Sequence, residues 1–211
     1  MEINKKKYLK ENRNKLLLAM IFFVTSFSFI SNTYAGHQRE EDLKEETKTL
    51  MSRNLSDFAP NFNSFKDIRE EYNWMIVFSK ELSKVMPEKK DREDFLKSVH
   101  YEATRAGLDP LLVLGLIKVE SAFQKYAVSD VGARGYMQVM PFWLNVIGQS
   151  NHNLFHMRTN LRYGCTILKH YLERENGNMF LALGRYNGSR GKDVYPNAVL
   201  RGMTEFKRKI T

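Results

Sequence analysis

Apolar residues recur at steps of three and four through most of the chain after residue 67, which is the spacing of helices with one buried face. In the first such stretch the apolar positions are Ile68, Tyr72, Met75, Phe78, Leu82 and Val85. Pro87 ends this predicted helix. Asp91 is a cap residue for a second helix, which Gly107 ends.

Further helices are predicted on the same grounds. Asp109, followed by a proline, caps the stretch PLLVLGLIKVES. Pro141 opens a short helix, Asn160 leads a longer one that Gly177 closes, and Asn178 caps MFLALGRYN. No strand-like alternation and no repeat is visible. The sequence therefore predicts an all-α fold.

The start of the chain has the pattern of a secretory signal peptide. A basic head precedes residues 16–30, which carry no charge, and small residues stand at Thr33 and Ala35. Fifteen apolar residues are short for a bilayer span, which takes about 20. We expect residues 1–35 to be removed by cleavage after Ala35, placing the protein in the periplasm; an uncleaved membrane anchor is the alternative.

The remaining chain is predicted to comprise a charged, partly helical extension at 36–90 and a compact domain at 91–211. Residues 36–100 hold twelve Lys or Arg and fourteen Asp or Glu, whereas residues 101–211 hold fifteen and eight. The second half should therefore attract an anionic partner. Charge alone would allow nucleic acid, but export favours a carboxylate-bearing cell-wall polymer, so no nucleic-acid partner is expected.

Two further features exclude some chemistry. Cys165 is the only cysteine, so no intramolecular disulfide can form, and its apolar neighbours predict a buried thiol. His152 and His156 are four apart in a loop with no carboxylate at ligand spacing. We expect no metal and no cofactor.

Glu120 ends the most apolar helix. Val113, Leu116 and Ile117 share its face, and the opposite face is apolar too. A helix that is apolar all round is buried, and desolvation of Glu120 would raise its pKa. A carboxylic acid protonated near neutral pH suits a general acid. The alternative is a carboxylate at the last helical turn, exposed to solvent.

Four blocks around this residue resemble the bacterial soluble lytic transglycosylase family, an all-α, goose-type lysozyme-like (SLT) fold. They are GLDPLLVLGLIKVES, AVSDVGARGYMQVMP, NLRYGCTILKHYL and LALGRYNGS, which stand in the order and spacing of the family. The resemblance covers about residues 96–200, so it makes 91–211 a catalytic domain.

The resemblance implies that Glu120 is the single catalytic acid. It also implies a set of substrate-binding residues: Ser121, Ser129, Gln138, Met140, Tyr186 and Asn187. The Tyr186 hydroxyl is expected to approach the Glu120 carboxylate. Tyr136 and Arg185 depart from the family, which usually has Leu and Ala there. The implied reaction cleaves the MurNAc–GlcNAc β-1,4 bond of peptidoglycan and leaves 1,6-anhydro-MurNAc ends, in cell-wall remodelling or turnover.

Two other functions remain open: a muramidase that hydrolyses the same bond, and a non-catalytic wall-binding component with an envelope or secretion-apparatus partner. Candidates for the second carboxylate that ordinary glycosidases use are Asp109, Asp130, Glu173, Glu175 and Asp193, all favoured as structural residues. A basic group could contact stem-peptide carboxylates or form a solvated face: Arg134, Arg185, Arg190 and Lys192.

Overall fold

A computed structural model describes residues 38–56, 64–149 and 151–210. Within these ranges there are eight helices and no strand, which confirms the all-α prediction. They are α1 Glu45–Leu55, α2 Ile68–Leu82, α3 Lys89–Arg105, α4 Pro110–Ser121, α5 Phe142–Val146, α6 Met157–Arg174, α7 Met179–Asn187 and α8 Val194–Ile210. The predicted signal peptide and its cleavage after Ala35 lie outside the described residues. Among the helices described, none is long and apolar enough to cross a bilayer.

Capping side chains fix several helix starts. The Asp109 carboxylate accepts from the Leu111 amide at 2.8 Å, and Asn178 caps α7, as predicted. The prediction for Asp91 is wrong, because α3 already begins at Lys89. Asp91 instead lies in the first turn, where the exposed backbone amides favour a negative charge.

Helix α2 buries only part of the face that the periodicity predicts: Phe78 and Leu82 are buried as predicted, and Trp74 is buried in addition. Ile68, Tyr72 and Val85 are 84%, 64% and 54% exposed. The buried residues are Trp74, Phe78 and Leu82. They face α3 and α8: the Trp74 indole donates to the Leu96 carbonyl at 3.1 Å, and the Phe78 ring meets Phe206 edge-on. Since α2 is apolar on two sides, its neighbours decide which side is covered.

Helices α4 and α8 cross in close contact because each has a glycine at the crossing. A Cβ added to Gly115 would lie 2.6 Å from the Met203 amide nitrogen, and one added to Gly202 would lie 3.2 Å from the Gly115 Cα. Real side chains do not tolerate such contacts. The crossing brings the start of α8 alongside the end of α4.

The extension before the domain packs on α6. Met51 and Leu55 of α1 are buried, and the Ser52 hydroxyl donates to the Ile147 carbonyl at 2.6 Å. The division of the chain at residue 90 stays a prediction. Elsewhere in the core, Cys165 is buried as expected, and Trp143 is buried too.

Candidate active site

Glu120 occupies the last turn of α4 and is 1% exposed, so the predicted burial is confirmed. The helix ends one residue later, where Ala122 adopts a left-handed conformation with φ 48°. Val113, Leu116 and Ile117 on the same helix have no exposed surface. The carboxyl group therefore sits at the edge of an apolar core, where desolvation disfavours its charged form.

Tyr195, at the start of α8, is the tyrosine that touches the acid. Its hydroxyl donates to Glu120 Oε1 at 2.5 Å. The Tyr186 hydroxyl donates to the Met137 carbonyl at 2.7 Å, and Tyr186 lies close enough to Glu120 for the charge of the carboxylate to raise the pKa of the tyrosine. Sequence comparison within the motif missed Tyr195, which is 75 residues from Glu120 along the chain.

Both tyrosines stay neutral. Burial raises the pKa of Tyr195 well above its usual value of 10, and the charge of Glu120 and its hydrogen bond raise it further. Burial also raises the pKa of Tyr186, and the charge of Glu120 raises it further. A neutral hydroxyl can donate to a carboxylate or accept from a carboxylic acid.

The cleft loop, residues 125–140, is held in place by Asn160 of α6. The Asn160 amide nitrogen donates to the carbonyls of Arg134 and Leu154, both at 2.8 Å, and its oxygen accepts from the Met137 amide at 2.8 Å. Asn160 is fully buried among these groups. One side chain thereby fixes the backbone on both sides of the loop's inner turn.

Gln138 supports the same loop from within. Its backbone is left-handed at φ 47°, and its amide nitrogen donates to the carbonyls of Ala127 and Gly135 at 3.1 and 2.9 Å. The side chain is buried. In this conformation the Gln138 side chain shapes the loop.

The two serines are also engaged by the loop. Ser121 is buried and donates to the Tyr136 carbonyl at 2.7 Å, while the half-buried Ser129 accepts from the Ala133 amide at 3.0 Å. These contacts tie the end of α4 to the cleft loop. Tyr136, one of the two departures from the family, packs against Phe95 of α3 with ring centroids 4.8 Å apart.

Met140 and Asn187 lie at the two ends of the site. Met140 is half-buried just after the cleft loop, and Asn187 is buried at the end of α7. Tyr186 precedes Asn187 and is fully buried. The structure thus brings the predicted residues into one region, and places most of their side chains against protein.

Gln38 was not predicted. It lies ahead of α1, is 3% exposed, and its carboxamide oxygen accepts from the Met140 amide at 3.2 Å and from the Trp143 indole nitrogen at 3.0 Å. Its nitrogen donates to the Gln138 carbonyl at 3.4 Å. It also forms a hydrogen bond with Tyr186 that lowers the pKa of that tyrosine against the larger effect of burial. No local sequence motif could have predicted a role for this residue.

Arg185, the second departure, holds a charge network. It pairs with Glu175 at the end of α6 and with Glu41 ahead of α1, and Glu41 also pairs with Arg174. Arg190 donates to Glu175 at 2.8 and 2.9 Å. The hydrogen bonds from Arg190 and Arg185 lower the pKa of Glu175 to about 2 despite its burial. Both arginines are therefore engaged with protein carboxylates.

The other carboxylates have structural surroundings. Asp109 is a helix cap, Glu173 pairs with Lys169 one turn away on α6, and Asp130 and Asp193 are exposed. Over the part of the chain that the structure covers, no three metal-ligating side chains come together.

The described residues thus form an all-α domain with a sequestered carboxyl group at the end of a core helix. Residues 97–197 match the family described as "Transglycosylase SLT domain". The resemblance drawn from the motifs is therefore confirmed over residues 97–197.

Named relatives share parts of this chain. A 47-residue stretch, 22% of the chain, is 51% identical to 13% of the membrane-bound lytic murein transglycosylase C of Actinobacillus pleuropneumoniae serotype 5b. A 103-residue stretch, 46% of the chain, is 31% identical to 38% of the transglycosylase of Enterobacteria phage PRD1. The chain thus spans well under half the length of these relatives. A crystal structure of inactive lytic transglycosylase Slt from Pseudomonas aeruginosa aligns with 84% of the chain and 36% of its own, at 20% identity and a TM-score of 0.42.

Proposed function

We propose that this protein is a peptidoglycan lytic transglycosylase that cleaves the MurNAc–GlcNAc β-1,4 bond and leaves 1,6-anhydro-MurNAc ends. The observation that carries the proposal is the buried Glu120 carboxyl group with the Tyr195 hydroxyl on it. The match of residues 97–197 to the SLT family and the named activities of the relatives support it.

In the proposed reaction Glu120 serves twice. As an acid it gives its proton to the glycosidic oxygen, so that the GlcNAc portion leaves as an alcohol and an oxocarbenium-like MurNAc state forms. As the resulting carboxylate it removes the proton from the muramic 6-hydroxyl, whose oxygen bonds to the anomeric carbon. No water is consumed, because the intramolecular hydroxyl replaces it. The enzyme returns with its proton restored.

Tyr195 fits both halves of this cycle. Its hydroxyl can accept from the acid form of Glu120 and donate to the carboxylate form, and its raised pKa keeps it neutral throughout. The hydrogen bond offsets part of the cost of a buried charge. One carboxyl group can therefore alternate between acid and base.

We place the reaction in the periplasm, on peptidoglycan glycan strands. Support comes from the basic head, apolar stretch and small residues of the first 35 residues, and from the names of the membrane-bound murein transglycosylases among the relatives. Remodelling and turnover of the wall would both use this activity.

Exchanging Glu120 for Gln tests the proposal. Glu120→Gln keeps a hydrogen-bonding side chain of the same size but has no proton to give, so we expect a native circular dichroism spectrum and a loss of wall cleavage of at least about a thousandfold. The measurement is release of soluble muropeptides from purified peptidoglycan, followed by mass spectrometry.

The matched control is Glu173→Gln, an exposed carboxylate on α6, which should cleave at the wild-type rate. Anhydro ends in the wild-type digest support the proposal. Reducing ends would identify a hydrolysing muramidase, and equal cleavage by Glu120→Gln would refute Glu120 as the acid.

A further inference from the structure

A short segment ahead of α1 lies on the candidate site. We call residues 38–43 the strap. Its first residue, Gln38, and its last, Leu43, are both buried. The carboxamide of Gln38 meets three groups that line the end of the cleft loop: the Met140 amide, the Trp143 indole N–H and the Gln138 carbonyl.

This set of partners suits an acetamido group. The C=O of Gln38 accepts two hydrogen bonds and its N–H donates to a backbone carbonyl. The N-acetyl group of an amino sugar presents the same planar amide, with one carbonyl acceptor and one N–H donor. Two of the three protein groups belong to Gln138 and Met140, which the family resemblance assigns to the glycan.

We propose that the Met140 amide, the Trp143 indole and the Gln138 carbonyl form an N-acetyl binding site that Gln38 fills from within the molecule. This inference rests on the proposed function, because it takes the natural ligand to be an N-acetylated glycan. The strap then competes with that glycan and must withdraw before it binds.

The position of the strap relative to the acid fits a competitor. Tyr186 interacts with both Gln38 and Glu120, so a single side chain connects the strap to the reacting group. Glu120 is 1% exposed, and no glycosidic oxygen can reach it in this conformation. Some part of the site has to open, and the strap is a segment outside any helix whose Glu41 is held by partly exposed ion pairs.

The strap is fastened in a way that allows release. Glu41 pairs with Arg174 and Arg185, whose side chains are all partly exposed. Such ion pairs contribute little in water and weaken with salt. Arg185 stands where the family usually has Ala, so this fastening is a feature of the present chain.

Binding of a sugar oligomer tests the competition without requiring cleavage. The probe is tri-N-acetylchitotriose, titrated calorimetrically into the exported chain carrying Glu120→Gln. Gln38→Ala removes the competing carboxamide and leaves the three partner groups in place. If the strap occupies the site about 90% of the time, the probe should bind about tenfold more tightly to the Gln38→Ala variant.

Three controls sharpen the result. Glu41→Ala loosens the strap without touching the site and should also tighten binding, so the test survives if Gln38→Ala folds poorly. Gln149→Ala, an exposed glutamine before α6, should change nothing. Fully deacetylated chitotriose should bind to the two strap variants no more tightly than to the chain with an intact strap, because it lacks the amide.

Unchanged or weaker binding of the acetylated probe by folded Gln38→Ala and Glu41→Ala would overturn the inference and make Gln38 a support for the loop. An equal increase in affinity for the deacetylated probe would also overturn the inference. Failure of the proposed function would show separately, as absence of wall cleavage by the chain with Glu120 intact.

Discussion

At the scale of single residues, the site depends on two opposite influences on Glu120. The apolar end of α4 disfavours a charged carboxylate, and the Tyr195 hydroxyl at 2.5 Å favours one. Neither influence alone would let one group give up a proton and then take one back. Tyr195 is therefore the residue at which the proposed double role can be tested most directly.

We expect Tyr195→Phe to move the alkaline limb of the pH profile of kcat/KM to higher pH by about one unit. A hydrogen bond to a charged group is worth about 1.5–3 kcal/mol, and its loss makes Glu120 hold its proton more tightly. The acid form would persist to higher pH, while kcat would fall because a carboxylic acid with a higher pKa gives its proton to the glycosidic oxygen less readily. Muropeptide release measured across pH 4–9 gives both quantities.

The control for this change is Tyr163→Phe, which also removes a buried hydroxyl, in this case one paired with His152. Tyr163→Phe should leave the alkaline limb of the pH profile at its wild-type position. A profile for Tyr195→Phe that coincides with that of the wild type would show that Tyr195 does not influence the protonation of Glu120.

At the scale of elements, the cleft loop is rigid because α6 holds it. Asn160 supplies partners to the Met137 amide and the Leu154 carbonyl, and it adds a second donor to the Arg134 carbonyl, which also accepts from the Val139 amide at 3.0 Å. Buried backbone groups left without partners are costly. The helix and the loop should therefore lose stability together when this contact is removed.

We expect Asn160→Leu to lower the free energy of unfolding by about 3 kcal/mol, since it leaves buried backbone groups unsatisfied. Urea unfolding followed by tryptophan fluorescence measures the change. Asn145→Leu, at an exposed position on α5, is the matched control and should stay within about 0.5 kcal/mol of the wild type. A similar loss in both variants would contradict the role given to Asn160.

The sequence predicts elements well where the information is local. The caps at Asp109 and Asn178 and the burial of Glu120 follow from neighbouring residues and are confirmed. At α2 the burial of Phe78 and Leu82 is confirmed, but the exposure of Ile68 and Tyr72 could not be predicted, because only the packing of α3 and α8 decides which apolar residues are covered. Tyr195 and Gln38 were missed because their partners lie 75 and about a hundred residues away.

At the scale of the whole molecule, one buried ion pair joins the extension to the domain. Glu102 of α3 has no exposed surface and accepts from Arg162 of α6 at 2.9 Å. Arg162 also donates to the Leu55 carbonyl at the end of α1 at 3.2 Å. Arg105 and Arg158 also pair with Glu102, at 3.0 and 4.0 Å, so three helices that are distant in sequence meet at one cluster of charges.

We expect Glu102→Ala to cost about 3–5 kcal/mol of stability, because Arg162 would keep a buried and uncompensated charge. The double variant Glu102→Ala with Arg162→Met should recover much of that loss, since Arg162 is the most buried of the arginines that pair with Glu102, and Arg105 and Arg158 are partly exposed to water. Thermal and urea unfolding of the three proteins give the comparison. A double variant as unstable as the single one would mean that packing, rather than charge, accounts for the loss.

Cys165 lies in the middle of α6, and burial raises the pKa of its thiol. A thiol that is covered and protonated is a poor nucleophile, so the folded protein should resist alkylation and should not form disulfide-linked dimers in an oxidising compartment. Because it is the sole cysteine, the rate at which an alkylating reagent captures it reports how often the centre of the domain opens. The native chain thus contains its own probe of breathing motions, with no label to introduce.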